Sequence, residues 1–99
     1  MIEKFNHVRS KAITQAANGE SCTICGVEDG TTVFAHLDEG FAGKGMGQKA
    51  DDLGGFFACY FCHESYARKT VANWMVLRAY YRTIRRLWER GIIGVFKVG

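Results

Sequence analysis

The 99-residue chain contains no proline, so its chain reversals are expected at its 12 glycines. It also lacks any apolar run near the roughly 20 residues that a membrane-spanning helix requires. The first residues, Met1 to His7, contain no apolar segment of the kind found in signal peptides. These absences predict no membrane association and a cytoplasmic location, that of a bacterial host if the family resemblance described below holds.

The net charge of +3 is unevenly distributed along the chain. Residues 1–19 carry a net charge of +2, residues 20–62 carry −5 and residues 63–90 carry +5. Basic flanks favour a polyanionic partner, and the planar guanidinium group of arginine suits phosphate, although a solvated helix face is the alternative interpretation. We therefore predict salt-dependent DNA binding by the late arginines: Arg78, Arg82, Arg85 and Arg86.

All four cysteines of the chain fall into two C-x-x-C pairs, Cys22 with Cys25 and Cys59 with Cys62. This spacing lets two sulfur atoms reach one metal ion from a tight turn, and two such pairs make a tetrahedral structural zinc site. Disulfides or a redox pair are the alternatives, but neither a signal peptide nor a βαβ pattern supports them. A chain this short buries a limited core, so a metal ion would help to stabilise it.

The apolar pattern predicts one small α+β domain spanning residues 1–99. A helix is expected over residues 3–17, and β-branched and aromatic residues predict short strands over residues 31–37 and 56–59. A glycine-rich segment over residues 40–55 joins the strands. Loops of this length are often functional.

The C-terminal part predicts one long helix from His63 to about residue 90, because apolar residues recur there every three or four positions. Gly91 is expected to end this helix, and residues 92–98 are expected to form a short terminal strand. The apolar stripe of the helix is predicted to face the core: Ala67, Val71, Trp74, Leu77, Tyr81, Ile84 and Trp88.

The order of these motifs resembles that of zinc-containing HNH endonucleases, whose core is a ββα-metal finger. Their strand histidine, their Asn-Leu pair and their final C-x-x-C-H element correspond here to His36, Asp52-Leu53 and Cys59-Tyr60-Phe61-Cys62-His63. More narrowly, the segments Ala35-His36-Leu37 and Gly43-Lys44-Gly45-Met46-Gly47-Gln48-Lys49 are similar to those of the YbcO-type nucleases of phages and prophages. The similarity covers most of the chain, but only its central motifs are specific.

This resemblance implies a metal-dependent endonuclease that hydrolyses phosphodiester bonds in DNA. It casts His36 as the general base and His63 as a ligand of a catalytic divalent cation such as Mg²⁺, Mn²⁺ or Ni²⁺. Asp52 would order the glycine-rich loop and orient His36, or join the metal shell, and Lys44 and Lys49 would bind the phosphate backbone. A neutral imidazole is suited to accept a proton from water near neutral pH.

Two positions depart from the family pattern. Ala35 stands where an aspartate or a histidine usually helps to bind the metal, and Ala67 stands where a further ligand often lies. These departures favour a second hypothesis, a non-catalytic zinc module that binds nucleic acid or a host protein. The retained His36 and His63 favour the enzyme, although either could serve only as a structural residue at the end of a strand or the start of a helix.

Overall fold

The computed structural model describes residues 8–38 and 51–94. Within these ranges the chain forms a small α+β arrangement, as the sequence predicts, but with two strands and three helices rather than the predicted two helices and terminal strand. Two strands are followed directly by a helix, and a long helix then packs against the sheet. The elements in chain order are α1 (Lys11–Gln15), β1 (Val33–His36), β2 (Gly55–Ala58), α2 (Tyr60–Ala67) and α3 (Asn73–Glu89).

Helix α1 is shorter than predicted. The Ser10 side chain caps it by accepting a hydrogen bond from the Ile13 N–H at 3.3 Å, so residues 8–10 are not helical. The remainder of the predicted extension, residues 3–7, lies outside the described residues. Helix α1 ends at Gln15, before the predicted end at residue 17, and a turn then leads to Gly19, whose φ of +81° is a conformation that glycine adopts readily.

Both predicted strands are present, and they pair in antiparallel fashion with His36 opposite Gly55. Phe56 and Phe57 point to opposite faces of the sheet, and both are fully buried. A Cβ atom at Gly55 would clash with the Phe34 ring and would lie 2.6 Å from the Ala35 carbonyl oxygen, so only glycine fits there. The sheet is therefore covered on both faces at the strand that precedes the second cysteine pair.

The prediction of one continuous helix from His63 to about residue 90 is wrong. Helix α2 begins at Tyr60 and ends at Ala67, and a reversal through Lys69, with a φ of +60°, separates it from α3. Gly91, with a φ of +72°, ends α3 as predicted. Residues 92–94 form no strand, because the Ile92 N–H bonds back to the Leu87 carbonyl at 2.9 Å, and residues 95–98 lie outside the described residues.

The face of α3 that contacts the core is not the predicted one. Ala79, Thr83 and Leu87 are buried against β2, and the Thr83 hydroxyl accepts a hydrogen bond from the Phe57 N–H at 3.0 Å. Four members of the predicted stripe are more than half exposed: Trp74 62%, Leu77 68%, Tyr81 61% and Trp88 57%. Of the others, Val71 and Ile84 are half-buried against the core. A small residue at position 79 and a hydroxyl at position 83 let the helix approach the sheet backbone, which a stripe of rings would prevent.

No helix within residues 8–38 and 51–94 is both long enough and apolar enough to cross a membrane. The assignment of the whole chain to one domain stays a prediction, as does a cytoplasmic location.

Candidate metal centre and histidine–aspartate pair

The first cysteine pair lies in a tight turn that its own backbone closes. The Gly26 N–H donates to the Cys22 carbonyl at 2.9 Å, and the Cys22 N–H donates to the Val27 carbonyl at 2.9 Å. Gly26 has a φ of +82°, a conformation that favours glycine. The N–H groups of Ile24 and Cys25 point at the Cys22 sulfur, at 3.4 and 3.5 Å. The turn therefore holds the sulfur atoms of Cys22 and Cys25 on the same side of the backbone.

The second pair lies at the start of α2. Cys59 is the residue that caps this helix, with an extended conformation and no side-chain capping bond, and Cys62 lies in the first turn. Both side chains are buried, whereas Tyr60 and Phe61 between them are 67% and 76% exposed. The chain therefore turns both sulfur atoms inward, toward the first pair.

All four sulfur atoms lie within 4.8 Å of one another, and the Cys25 and Cys59 sulfurs are 3.7 Å apart. A tetrahedral zinc ion with Zn–S bonds of about 2.3 Å has S···S edges of about 3.8 Å. None of the four cysteines forms a disulfide, so the disulfide alternative does not describe this structure. The residues present fit a single metal ion such as zinc.

The thiols differ in how easily they ionise. Burial acts to raise the pKa of Cys22, but hydrogen bonds from the backbone N–H groups of Cys25, Cys59 and Ile24 and from the Cys25 thiol together outweigh burial and lower the pKa to about 7. Burial and the neighbouring sulfurs raise the pKa of Cys62 far above its ordinary value, and burial raises that of Cys59. Four thiolates packed this closely repel one another, so the full ligand set requires a cation between them.

The first turn is attached to the rest of the fold through Thr23. Its N–H and its hydroxyl both donate to the Phe57 carbonyl, at 2.9 and 2.6 Å. From α3, Arg82 donates to the Thr23 carbonyl at 3.2 Å, and Arg86 donates to the Ser21 carbonyl at 2.7 Å. The metal centre therefore joins the sheet, α2 and α3 at one place.

Away from the cysteines, His36 and Asp52 form a second candidate site. His36 ends β1, and its Nε2 lies 2.8 Å from Asp52 Oδ1. The other carboxylate oxygen, Oδ2, accepts the Ser10 N–H at 2.7 Å, and Arg9 lies 3.8 Å from Oδ1. The Asp52 side chain is 8% exposed and that of His36 is 20% exposed. The pair is therefore rigid and shielded, while the histidine ring still reaches solvent.

The electrostatics of this pair favour a carboxylate. Burial acts to raise the pKa of Asp52, but the hydrogen bonds from His36 and the Ser10 N–H outweigh it, and the net pKa is lowered. Phe34 packs edge-on against the His36 ring, with 5.1 Å between ring centroids, and so restricts its orientation. Asp52 thus serves as a fixed, ionised acceptor for the imidazole.

The structure does not bring every predicted site residue together. His63 lies exposed on α2, and its N–H donates to the Cys59 carbonyl at 2.8 Å as part of the helix. Lys44 and Lys49 lie outside the described residues. Within residues 8–38 and 51–94, the cysteines form the one cluster of three or more metal-ligating side chains. A divalent-cation site around His63 stays a prediction.

The arginines of α3 have more structural roles than the sequence predicts. Arg86 ion-pairs with Glu20 at 3.3 Å as well as bonding to Ser21, so it serves the metal turn. Arg85 pairs with Glu89 at 3.4 Å, and Arg78 stacks over the Trp74 ring at 5.0 Å. Arg82 donates to the Thr23 carbonyl, so all four arginines predicted to bind DNA have a contact within the fold.

Three residues of these sites were not predicted from the sequence. Ser10 is a helix cap whose backbone holds Asp52, Arg9 lies beside the same carboxylate, and Thr23 links the cysteine turn to β2. A serine before an apolar-periodic run is a recognisable capping signal, and it could have placed the start of α1 correctly. Nothing in the local sequence indicates the contact of Ser10 with Asp52, because 42 positions separate them.

The fold and these sites together define a class: a small α+β protein with a four-cysteine metal centre and a shielded histidine–aspartate pair. The model of the family described as Putative nuclease YbcO matches residues 11–92, which is most of the chain. The chain belongs to that family. Comparison with curated proteins and with solved structures gave no match.

Proposed function

We propose that this protein is a metal-dependent endonuclease of the HNH type that hydrolyses phosphodiester bonds in DNA at the His36–Asp52 pair. The observation that carries the proposal is the 2.8 Å hydrogen bond between His36 Nε2 and the shielded carboxylate at the end of β1. The strand–strand–helix order of β1, β2 and α2 supports a ββα-metal core, and membership of a nuclease family supports a nucleic acid substrate.

The hydrogen bond assigns the proton on the imidazole. An ionised carboxylate only accepts hydrogen bonds, so Nε2 must carry the hydrogen when the ring is neutral. Nδ1 is then the basic nitrogen, with a lone pair available to take a proton from water. The water oxygen attacks the phosphorus atom, and the P–O bond to the leaving deoxyribose oxygen breaks. The proton of the water moves to Nδ1, Asp52 stabilises the resulting imidazolium, and the leaving oxygen takes a proton from solvent.

The two proposed metals have different tasks. A zinc ion held by Cys22, Cys25, Cys59 and Cys62 would have only thiolate ligands, which leaves no open position for substrate and suits a structural role. A separate divalent cation bound through His63 would supply charge stabilisation to the phosphate. Lys44 and Lys49 are proposed to bind the phosphate backbone.

One observation favours a second candidate, a zinc module that binds nucleic acid or a protein without cutting. Ala35 is 1% exposed within the sheet, and Ala67 is the last residue of α2, so neither position offers a ligand. Within residues 8–38 and 51–94, no group of three or more metal-ligating side chains is present apart from the four cysteines.

The deciding experiment is cleavage of plasmid and single-stranded DNA with added Mg²⁺, Mn²⁺ or Ni²⁺. We expect His36→Ala to lower cleavage roughly 10²-fold or more, because a positioned general base is lost. Zinc content and DNA binding should be unchanged. His63→Ala should also lower cleavage, but a higher cation concentration should partly restore it, which His36→Ala would not show. A wild-type chain that binds DNA and cuts nothing with any cation would establish the second candidate.

A further inference from the structure

The outer face of α3 carries an unusual combination of side chains, since both tryptophans of the chain lie on it. Trp74, Leu77, Tyr81 and Trp88 are 62%, 68%, 61% and 57% exposed, although residues of this kind normally contribute to a core. Their spacing of three, four and seven places them in one row along the helix. The opposite face holds Ala79, Thr83 and Leu87 against the sheet, so the row is not an edge of the core.

Arginines border this row on one side. Positions 78, 82 and 85 follow the stripe along the helix, and Arg78 lies over the Trp74 ring at 5.0 Å from its centroid. Arg85 is paired with Glu89, the one acid of the helix, and Arg82 also donates to the Thr23 carbonyl, but neither Arg78 nor Arg82 has a carboxylate partner among the described residues. The face therefore combines flat rings with three guanidinium groups.

This combination decides between possible occupants. A second copy of the chain would bring the same arginines and a single glutamate to the contact, so the charges would repel rather than pair. Nucleic acid offers both complements at once, since bases stack on aromatic rings and phosphates pair with guanidinium groups. We propose that the outer face of α3 is a nucleic-acid-binding surface, with Trp74 and Tyr81 stacking on unpaired bases and Arg78, Arg82 and Arg85 contacting phosphates.

The surface is separate from the His36–Asp52 pair, which lies at the end of β1, and it does not depend on cleavage. The choice of nucleic acid as the ligand of this surface also rests on the membership of the chain in a nuclease family. The proposed catalytic site and the surface on α3 can therefore be tested independently.

Because Trp74 and Trp88 are the only tryptophans, the intrinsic fluorescence of the full-length protein reports on this face alone. The test titrates zinc-loaded protein, without other divalent cations, with an unstructured single-stranded oligonucleotide and with a duplex of the same sequence. We expect saturable quenching by the single strand, weaker at high salt, and lower affinity for the duplex. Tyr81→Ala and Trp74→Ala should each weaken single-strand binding about tenfold or more.

Phe61→Ala is the matched control, since Phe61 is 76% exposed on a different helix, and its affinity should stay within about twofold of the wild type. Variants are compared only when zinc content and circular dichroism match the wild type, and Tyr81→Ala decides if Trp74→Ala does not fold.

The absence of quenching, or unchanged affinity of Tyr81→Ala, would overturn the proposal. So would a dimer that forms through this face and that Leu77→Glu dissociates without affecting oligonucleotide binding. Binding with quenching but without any cleavage would support the surface and reject the proposed nuclease.

Discussion

Asp52 is the residue at which the N-terminal segment and the end of the sheet are joined. One carboxylate oxygen accepts the Ser10 N–H at 2.7 Å and the other bonds to His36 at 2.8 Å. Asp52→Asn keeps the size of the side chain but replaces one acceptor oxygen with a donor. We expect a loss of about 1–3 kcal/mol in the free energy of unfolding at pH 7, because a buried donor or acceptor loses its partner. Urea unfolding of the zinc-loaded protein measures it.

The same substitution has a predicted pH dependence. The pKa of Asp52 is lowered in the folded state, so its stabilisation is present above the pKa of the unfolded chain and is lost as the pH falls through the folded value. The difference between wild type and Asp52→Asn should therefore shrink in acid, below the usual pKa of aspartate. Asp29→Asn is the control, because Asp29 also has a lowered pKa, from its bonds to Thr31, but is exposed. A difference that stays constant from pH 7 to pH 3 would contradict this role for Asp52.

At the level of elements, α2 and α3 end in the same hydrogen-bonded motif but with different residues at its critical position. After α2 the Thr70 N–H bonds to the Ser65 carbonyl and the Lys69 N–H to the Tyr66 carbonyl, at 3.0 and 2.9 Å. After α3 the equivalent bonds are made by Ile92 and Gly91. Such a motif places its central residue at positive φ, where glycine is favoured, and Lys69 has a φ of +60°.

Exchanging these residues should therefore have opposite effects on stability. Lys69→Gly should raise the free energy of unfolding by about 1 kcal/mol, and Gly91→Lys should lower it by a similar amount, because a side chain is costly in the left-handed region. Thermal or urea unfolding measures both. Lys69→Ala controls for the lost charge and should not stabilise the protein, so a gain equal to that of Lys69→Gly would assign the effect to charge instead.

These elements also show how far the sequence alone determines the fold. Both strands, the tight turn of the first cysteine pair and the Gly91 stop follow from local residue preferences, and the structure confirms them. The break at Lys69 did not follow, because no glycine or proline marks it and the apolar spacing continues through it. The pairing of His36 with Asp52 was predicted only as one possible role, through the family resemblance.

The face that α3 buries could not be predicted either, for a tertiary reason. Periodicity reports that apolar residues share a side of a helix, but it does not report which side the sheet accepts. Here the contact is decided by the bond from the Phe57 N–H to Thr83 and by the small side chain of Ala79, and both depend on β2. The sequence predicts these aromatic residues in the core because an exposed apolar row has the same spacing along a helix as a packed one.

Considered as a whole, the molecule is organised around the cysteine cluster. Its first turn is bonded to β2 through Thr23 and to α3 through Arg82 and Arg86, while its second pair begins α2. The helices are not expected to persist alone in water, since helix stability in proteins comes mainly from tertiary contacts. We therefore expect the position of α3 to depend on a metal ion that it does not itself bind.

Metal removal should accordingly unfold more than the two cysteine turns. Chelation of the zinc-loaded protein should reduce the helical circular dichroism signal and the melting temperature together, and added Zn²⁺ should restore both. Cys22→Ser and Cys62→Ser should bind less than one equivalent of zinc and should melt early, because the remaining buried thiolates lose their cation. Phe61 lies between the two cysteines of the second pair, but its side chain is exposed. The Phe61→Ala variant should therefore retain its full zinc content. If chelation removes the zinc while the helical signal and the melting temperature stay unchanged, α3 does not depend on the metal and this prediction is wrong.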